Sequence, residues 1–591
     1  MYAVRQTNFF FSFKSLILAF FIIFDSLRLI LNYTFAMKKK IKNLFSLILL
    51  FLFFIFKDFP ILANQMDNYI EPEEKSVFNY SQSKKKSSKT QIIVTANDYA
   101  SEIGGEILGK GGNAADATVA IQLTLGLVEP QSSGIGGGTF ITYYDNIKKS
   151  VLFYDGREKA PQNIDQNIFL NNDGSRKKFF DAAIGGQSVG VPGTLAAIFK
   201  FHSDYGILKW KDVIEPVINL ADNGFYPPSR LLNALKKDKF LFNINKNLLF
   251  KEIIGNPRKK IFNYEYSETL RKISENYRVF YEGSIAKKIA KKVSDYEKNN
   301  SLSDNDLRSY FAKKKNALCI LLPNKIKICG PNLPSSGTIC IAQVLKIIDY
   351  IKKNKEIELS DILNTLDFVY YLRERFLADD KFVRINIDEL INIDFLIERF
   401  LKYKTKKKSF LAEEILNSTS HFSVVDKFEN VVSVTSSIES TFGSRLFVNG
   451  FFLNNQLTDF SFKSTNKDNK LIKNRVQGGK KPLSSMSPLI IFDQNNNFLM
   501  SIGSPGGKAI ISYVSRVLID YFYFNKTLEN SIKSPNFIKI NGSVFLENIS
   551  LKPKVKENSK VRNLTSGIGI IVKKKNKFFG FADHRRDGTV R

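Results

Sequence analysis

The chain has 591 residues, 43% hydrophobic and 24% charged, a balance that excludes a disordered chain and suits a folded protein with one or two cores. Its 87 Lys and Arg against 57 Asp and Glu leave a net charge of +30. The lysines are scattered among Asn and Ile, as in "KKNKEIELSD" and "IVKKKNKFFG", and no zinc-finger, RRM or helix-turn-helix pattern accompanies them, so they read as solvated surface and no nucleic-acid partner is expected.

The chain opens with an apolar stretch, "SLILAFFIIF", interrupted downstream by Asp25 and Arg28; residues 1–36 read as an extension ahead of the true start at Met37, or as an extra membrane segment. From Met37 a basic start, an apolar run from Leu44 to Phe56 and a small residue at Ala63 give the three-part layout of a secretory signal peptide over 37–63. The expected compartment is the periplasm, with an uncleaved anchor facing outward as the alternative. Residues 64–90, with "SQSKKKSSKT", read as a polar leader.

From "QIIVTAN" at residue 91 strands alternate with helices. "YASEIGGEILGKGGNAADATVAIQLTLGLVEP" predicts a helix ended by glycines and an Ala-rich helix starting after Asn113. "SSGIGGGTFITYYD" is a glycine turn and a strand; it lacks both the Walker and the dinucleotide pattern, and so permits close packing rather than phosphate binding. "SVLFYDGREKAP" is a strand that delivers Arg157. Residues 195–310 carry helical spacing, "NKIKICGPN" is a strand, and "LPSSGTICIAQVLKIIDYI" is a turn feeding a helix. Charged "YKTKKKSFLAEEILN" reads as an exposed linker.

Beyond it strands dominate. "HFSVVD" and "VVSVTSSIES" flank the turn "KFEN" and predict a hairpin that brings Ser437, Ile438 and Glu439 beside Thr419 to within a residue of register. Ser437 and Glu439 share one face, so a hydroxyl and a carboxylate stand near a candidate nucleophile. Three more patches are polar beyond the needs of a strand protein: "LNNQLTDFS" with Gln456 and Asp459, "KPLSSMSP" with Ser484 and Ser485, and "GSPGG" with Gly506 and Gly507.

Cysteine and histidine offer no competing chemistry. Cys319, Cys329 and Cys340 have neither CxxC spacing nor a neighbouring histidine pattern, which speaks against zinc and a disulfide framework while leaving room for one disulfide. His202, His421 and His584 are too dispersed for a metal centre, and nothing singles out a Ser/His/Asp triad. No cofactor and no metal are expected.

The ordered series "DGREKAP", "GVPGT", "TSHFSVVD", "LNNQLTDFS", "KPLSSMSP", "GSPGG" and "DHRRDG" closely resembles the gamma-glutamyltranspeptidase family. The resemblance implies an α/β (α+β) N-terminal-nucleophile hydrolase, a four-layer αββα sandwich cut between Ser418 and Thr419 into a large subunit (91–418) and a small one (419–591) that remain a heterodimer. It implies that Thr419 is the nucleophile, that Gly506 and Gly507 form the oxyanion hole, that Arg157, Ser484 and Ser485 hold the substrate α-carboxylate, and that Gln456 and Asp459 surround its α-ammonium. Expected substrates are glutathione and other γ-glutamyl compounds, with water or an amino acid or peptide as acceptor.

Two departures stand out. Ser437 and Glu439 occupy positions where many family members carry Thr and Asn, and the segment from Ser461 to Lys481 has no aromatic residue after Phe462 to serve as a lid, which predicts an open, water-accessible site. The competing expectations are a related acylase acting on glutaryl or β-lactam side-chain amides, and a non-catalytic exported binding protein of the same fold.

Overall fold

The computed structural model describes residues 84–246, 248–296, 302–403, 418–555 and 558–591. The extension, the signal-peptide reading and most of the linker before Thr419 lie outside these residues. All described residues fall within one compact unit built around two seven-stranded sheets.

The first sheet runs in the order Thr589–Val590, Ile92–Thr95, Ser418–Val425, Val431–Glu439, Gly138–Asp145, Ser150–Gly156 and Lys313–Asn316. Its centre is the expected hairpin, with Thr419 opposite Ser437 and Ser418 opposite Glu439 across a bulge. Asp426 closes the turn by accepting from the Phe428 and Asn430 amides at 2.9 and 3.0 Å. The second sheet runs Lys84–Ser88, Lys577–Ala582, Gly569–Lys574, Phe498–Gly503, Leu489–Phe492, Lys327–Gly330 and Leu318–Leu321. Its first strand belongs to the stretch read as a leader. Those side chains stay largely exposed while the backbone pairs with Lys577–Ala582, because an edge strand needs ladder hydrogen bonds more than apolar side chains.

The period of two sorts the hairpin into layers. Phe422, Val424, Val432 and Val434 pack into a core shared with the helices Asp98–Gly109, Ala114–Val128, Thr194–Tyr205 and Trp210–Asn223. Val425 and Val431 face the other way, onto Ile490, Phe492 and Ile571 of the second sheet. That sheet buries Ile328, Leu489, Met500 and Ile570 against the helices Gly337–Asn354, Leu359–Phe376 and Ile510–Phe522. The layers are therefore αββα, as the family resemblance implies, and Thr419 shares the inter-sheet face.

Helix Ala114–Val128 is buried along its whole length, and its start is fixed by a reciprocal Asn113–Asp116 capping box. The expected helices around 195–310 and from Gly337 are present. Cys319 and Cys329 face each other across adjacent strands and form a disulfide, where the sequence left room for one without singling out the pair, while Cys340 is buried and free. The described residues contain no group of three or more metal-ligating side chains, and no helix among them is long and apolar enough to cross a membrane.

Candidate active site

In the continuous chain the Thr419 hydroxyl lies 3.1 Å from the Ser437 hydroxyl, and Ser437 Oγ donates to the Ser418 carbonyl at 2.8 Å. The Glu439 amide donates to Ser437 Oγ at 2.9 Å. A serine hydroxyl has one proton to give. With that proton on the Ser418 carbonyl, Ser437 can only accept from Thr419, so one side chain touches both the nucleophile and the carbonyl before it. Glu439, with φ 80°, is itself pinned by Asn455 Nδ2 at 2.6 Å and Ser440 Oγ at 2.5 Å.

The opposite face of the same strand is anchored to the end of helix Ala114–Val128. Ser420 Oγ donates to Glu129 Oε2 at 2.9 Å, Ser418 and Ser132 hydroxyls meet at 3.1 Å, and Arg230 bonds both Glu129 (2.8 Å) and Ser132 (3.2 Å). Burial pushes the Glu129 carboxyl up and the Arg230 charge pulls it back. From the C-terminal segment, Arg586 Nη1 donates to the Thr419 carbonyl at 3.0 Å. Sequence reasoning assigned no role to Glu129, Arg230 or Arg586. The available signals were a lone carboxylate ending an apolar helix and the arginine pair of "DHRRDG".

Arg157, fully buried, forms the centre of a second group. Its Nη2 pairs with Asp459 at 2.5 Å, its Nε donates to the Pro482 carbonyl at 3.0 Å, and Gln456 Nε2 donates to the same Asp459 oxygen at 2.7 Å. The structure thus joins residues expected to hold opposite charges of a substrate: a preformed ion pair can exchange partners with a zwitterion at little net electrostatic cost. Glu158, also missed by sequence reasoning, stands 3.4 Å from Arg157 Nη1; burial pushes its carboxyl up to about 7 despite that guanidinium.

The segment after Pro482 carries Ser484 and Ser485 beside this group. Ser484 is held by its backbone to Pro334 and Ser336, and its Oγ accepts from the Met486 amide at 3.2 Å. Ser485 Oγ and Gln456 Oε1 are buried and have no hydrogen-bond partner among the described residues. Unpaired buried polar atoms cost about 1–3 kcal/mol each, so these two can gain by pairing with a polar group that enters the site.

Gly506 and Gly507 sit between strand Phe498–Gly503 and helix Ile510–Phe522 with φ of 128° and 52°, conformations that side chains rarely adopt. A Cβ on Gly506 would also meet the Tyr513 ring at 2.6 Å. The preceding Pro505 packs on Gly567, which packs on Arg586, and Arg586 bonds the Thr419 carbonyl, so the turn is linked to the nucleophile through three contacts. His421 shares the Thr419 face but serves packing: its Nδ1 meets Thr435 Oγ1 at 3.0 Å, and burial pushes its pKa down to about 3, so it is neutral and bonded elsewhere.

Glu439 and Asp459 line one cavity of about 630 Å³, and the segment expected to be lid-free forms part of its wall through Asn466, Lys470 and Lys473. Phe462 turns away to stack on Phe169, with ring centroids 4.6 Å apart.

The sequence model of the family described as Gamma-glutamyltranspeptidase matches residues 100–591. The glutathione hydrolase proenzyme of Bacillus subtilis strain 168 is 32% identical over 489 residues, covering 76% of this chain and 80% of that protein. The glutathione hydrolase proenzyme of Escherichia coli K12 is 30% identical over 480 residues, covering 76% and 81%. Among solved structures, a cephalosporin acylase from Bacillus halodurans superposes with a TM-score of 0.73 at 19% identity, covering 88% of this chain and 98% of its own, a likeness of fold alone.

Proposed function

This chain belongs to the gamma-glutamyltranspeptidase family, and on that premise we propose that it is a glutathione hydrolase and γ-glutamyltransferase made as a self-cleaving precursor. The observation that carries the reading is the shared Ser437 hydroxyl, 3.1 Å from Thr419 Oγ1 and 2.8 Å from the Ser418 carbonyl oxygen. Thr419 Oγ1 attacks the Ser418 carbonyl carbon while Ser437 stabilises the charge growing on its oxygen. The C–N bond breaks, the Thr419 nitrogen takes a proton, and an ester remains. Water hydrolyses that ester and frees a Thr419 N-terminus.

The cut supplies what the precursor lacks. An amide nitrogen is no base, whereas an α-amine with a reference pKa of about 7.7–8.0 is suited to neutral pH and lies on the nucleophile's own residue. In turnover the amine takes the Thr419 hydroxyl proton, Oγ1 attacks the γ-carbonyl, and the Gly506 and Gly507 amides meet the oxyanion. The leaving amine departs with a proton, and the γ-glutamyl ester passes to water or to an amino acid or peptide amine. Arg157 with Ser484 and Ser485 takes the α-carboxylate; Asp459, Gln456 and Glu439 take the α-ammonium. The chain works outside the cytoplasm, most simply in the periplasm, a reading supported by residues 37–63 and by the Cys319–Cys329 disulfide, which suits an oxidising compartment.

The test is mass spectrometry joined to kinetics. The purified protein should yield a fragment beginning at Thr419, Thr419→Ala should remain one chain, and γ-glutamyl anilide should be cleaved far faster than glutaryl anilide, which lacks the α-ammonium. An uncut chain would sink the enzyme reading; equal rates on the two anilides would favour the acylase.

A further inference from the structure

Positive charge that is scattered along the sequence is gathered by the fold at one end of the sandwich. The strand pairings send five hairpin turns to that end, at residues 146–149, 322–326, 426–430, 493–497 and 575–576. They meet side by side. Asn146 Nδ2 donates to the Phe428 carbonyl at 3.0 Å, Lys573 pairs with Glu429 at 2.6 Å across the two sheets, and Lys327 Nζ donates to Asn496 Oδ1 at 2.6 Å. The Tyr144 and Phe492 rings, with centroids 5.0 Å apart, join the turns of one sheet to those of the other. Residues 145–149, 322–327, 426–430, 493–497 and 573–577 together hold nine lysines against four carboxylates, so this rim is cationic. Its carboxylates are turned inward: Asp145 accepts from the Ile147 and Lys148 amides at 3.1 and 2.9 Å, and Asp493 from the Asn495 and Asn497 amides at 2.9 and 2.8 Å. Lys149, Lys427, Lys574 and Lys575 are exposed.

Two apolar side chains stand out of the same rim. Ile147 is 82% exposed, the highest value of any large apolar side chain among the described residues, and Phe428 on the adjoining turn is 45% exposed, with Lys427 Nζ 5.2 Å over its ring. Apolar side chains scattered singly are ordinary on a surface, whereas two on adjoining turns ringed by lysines make a patch with two chemistries. A nucleic-acid backbone would meet the lysines and leave the apolar tips in water. An anionic bilayer satisfies both, its headgroups pairing with the ammonium groups and its acyl boundary receiving the tips. We propose that this end of the sandwich is a docking surface for an anionic lipid bilayer, with Ile147 and Phe428 entering the headgroup layer and the lysines around them holding lipid phosphates. The placement is compatible with catalysis: strand Ser418–Val425 starts beside the nucleophile and ends in the 426–430 turn, about 20 Å further on at ~3.3 Å per residue, so a docked molecule keeps Thr419 on the side away from the lipid. The export proposed above brings the chain to such a surface, and the docking is independent of the γ-glutamyl chemistry.

The test is co-sedimentation of the protein with vesicles of phosphatidylcholine alone, or of phosphatidylcholine and phosphatidylglycerol in equal parts. Every protein compared carries the same N-terminal segment, so differences between variants report the rim. Partition onto the anionic vesicles is expected to exceed that onto the neutral ones roughly tenfold at low salt and to fall as ionic strength rises. Lys574→Gln/Lys575→Gln should lower it roughly tenfold, since each lysine near such a surface contributes about fivefold. Lys287→Gln/Lys288→Gln removes the same charge from exposed positions on helix Ser284–Ser294 and should leave partition within about twofold of wild type. Ile147→Ser/Phe428→Ser keeps the charge and should lower partition severalfold, a loss that persists at high salt because it is apolar. All three should keep the wild-type thermal unfolding and anilide cleavage, because the positions are exposed and remote from Thr419. Three results would each overturn the proposal: no preference for anionic vesicles, an equal loss in the helix variant, which would mark diffuse net charge, or wild-type partition in the Ile147 and Phe428 variant, which would mark a general polyanion surface.

Discussion

Ser437 carries two hydrogen bonds that no neighbour can replace, one with the nucleophile and one to the Ser418 carbonyl. Ser437→Ala should slow precursor cleavage about 100-fold, in the range of losing one oxyanion donor, while Ser437→Thr should keep it; the rate of appearance of the Thr419 fragment measures both. Glu158 makes a pH prediction. With its carboxyl pushed up to about 7 by burial, it is largely neutral below that pH and leaves the Arg157 charge to the substrate carboxylate. As pH rises through 7 it ionises 3.4 Å from the guanidinium and competes for it. KM for a γ-glutamyl donor should therefore rise between about pH 6 and 8 in the wild type and stay flat in Glu158→Gln. Asp459 and Lys481 also act on Glu158, in opposite directions, so the transition belongs to the cluster.

At the scale of elements, the hairpin Ser418–Val425 and Val431–Glu439 is both scaffold and catalyst mount. Its register was legible because a short turn joins the two strands, and a slip of one residue would move Phe422, Val424, Val432 and Val434 off the helix-facing core. The glycine turn after Gly503 is as exacting. Gly506→Ala would force a side chain into φ 128° and against Tyr513, so the turn must shift. We expect a loss of about 1–3 kcal/mol in stability and a larger, 10–100-fold loss in kcat, read by thermal unfolding beside anilide kinetics. The sequence left the rear anchor unread: Glu129 and Arg230 are 101 residues apart, and only folding sets them 2.8 Å from each other behind Ser420. Losing one member would strand a buried charge, at a cost of about 3–5 kcal/mol.

At the scale of the molecule, the segments on either side of Thr419 are interleaved rather than adjacent. Ile92–Thr95 pairs with Ser418–Val425, Gly138–Asp145 with Val431–Glu439, Lys327–Gly330 with Leu489–Phe492, and Lys84–Ser88 with Lys577–Ala582. A cut before Thr419 divides the chain and leaves both sheets whole. The two fragments should co-elute under native conditions and separate only in denaturant, whereas two independent domains would part on cleavage.

The sequence by itself determined the hairpin and its register and the ordered polar patches, because each rests on local periodicity or on residues close in the chain; the layered fold class was legible only through the family resemblance those patches carry. Only the tertiary structure decided which charges meet. Arg157 was read as a carboxylate ligand and Asp459 as an ammonium ligand, yet they pair with each other at 2.5 Å across 302 residues. Glu129, Glu158 and Arg586 acquire their chemistry from burial and convergence, and neither is written in local spacing. Electrostatic environment depends on distance and dielectric in space. Thr419 could be picked out from its strand; what surrounds it had to be folded first.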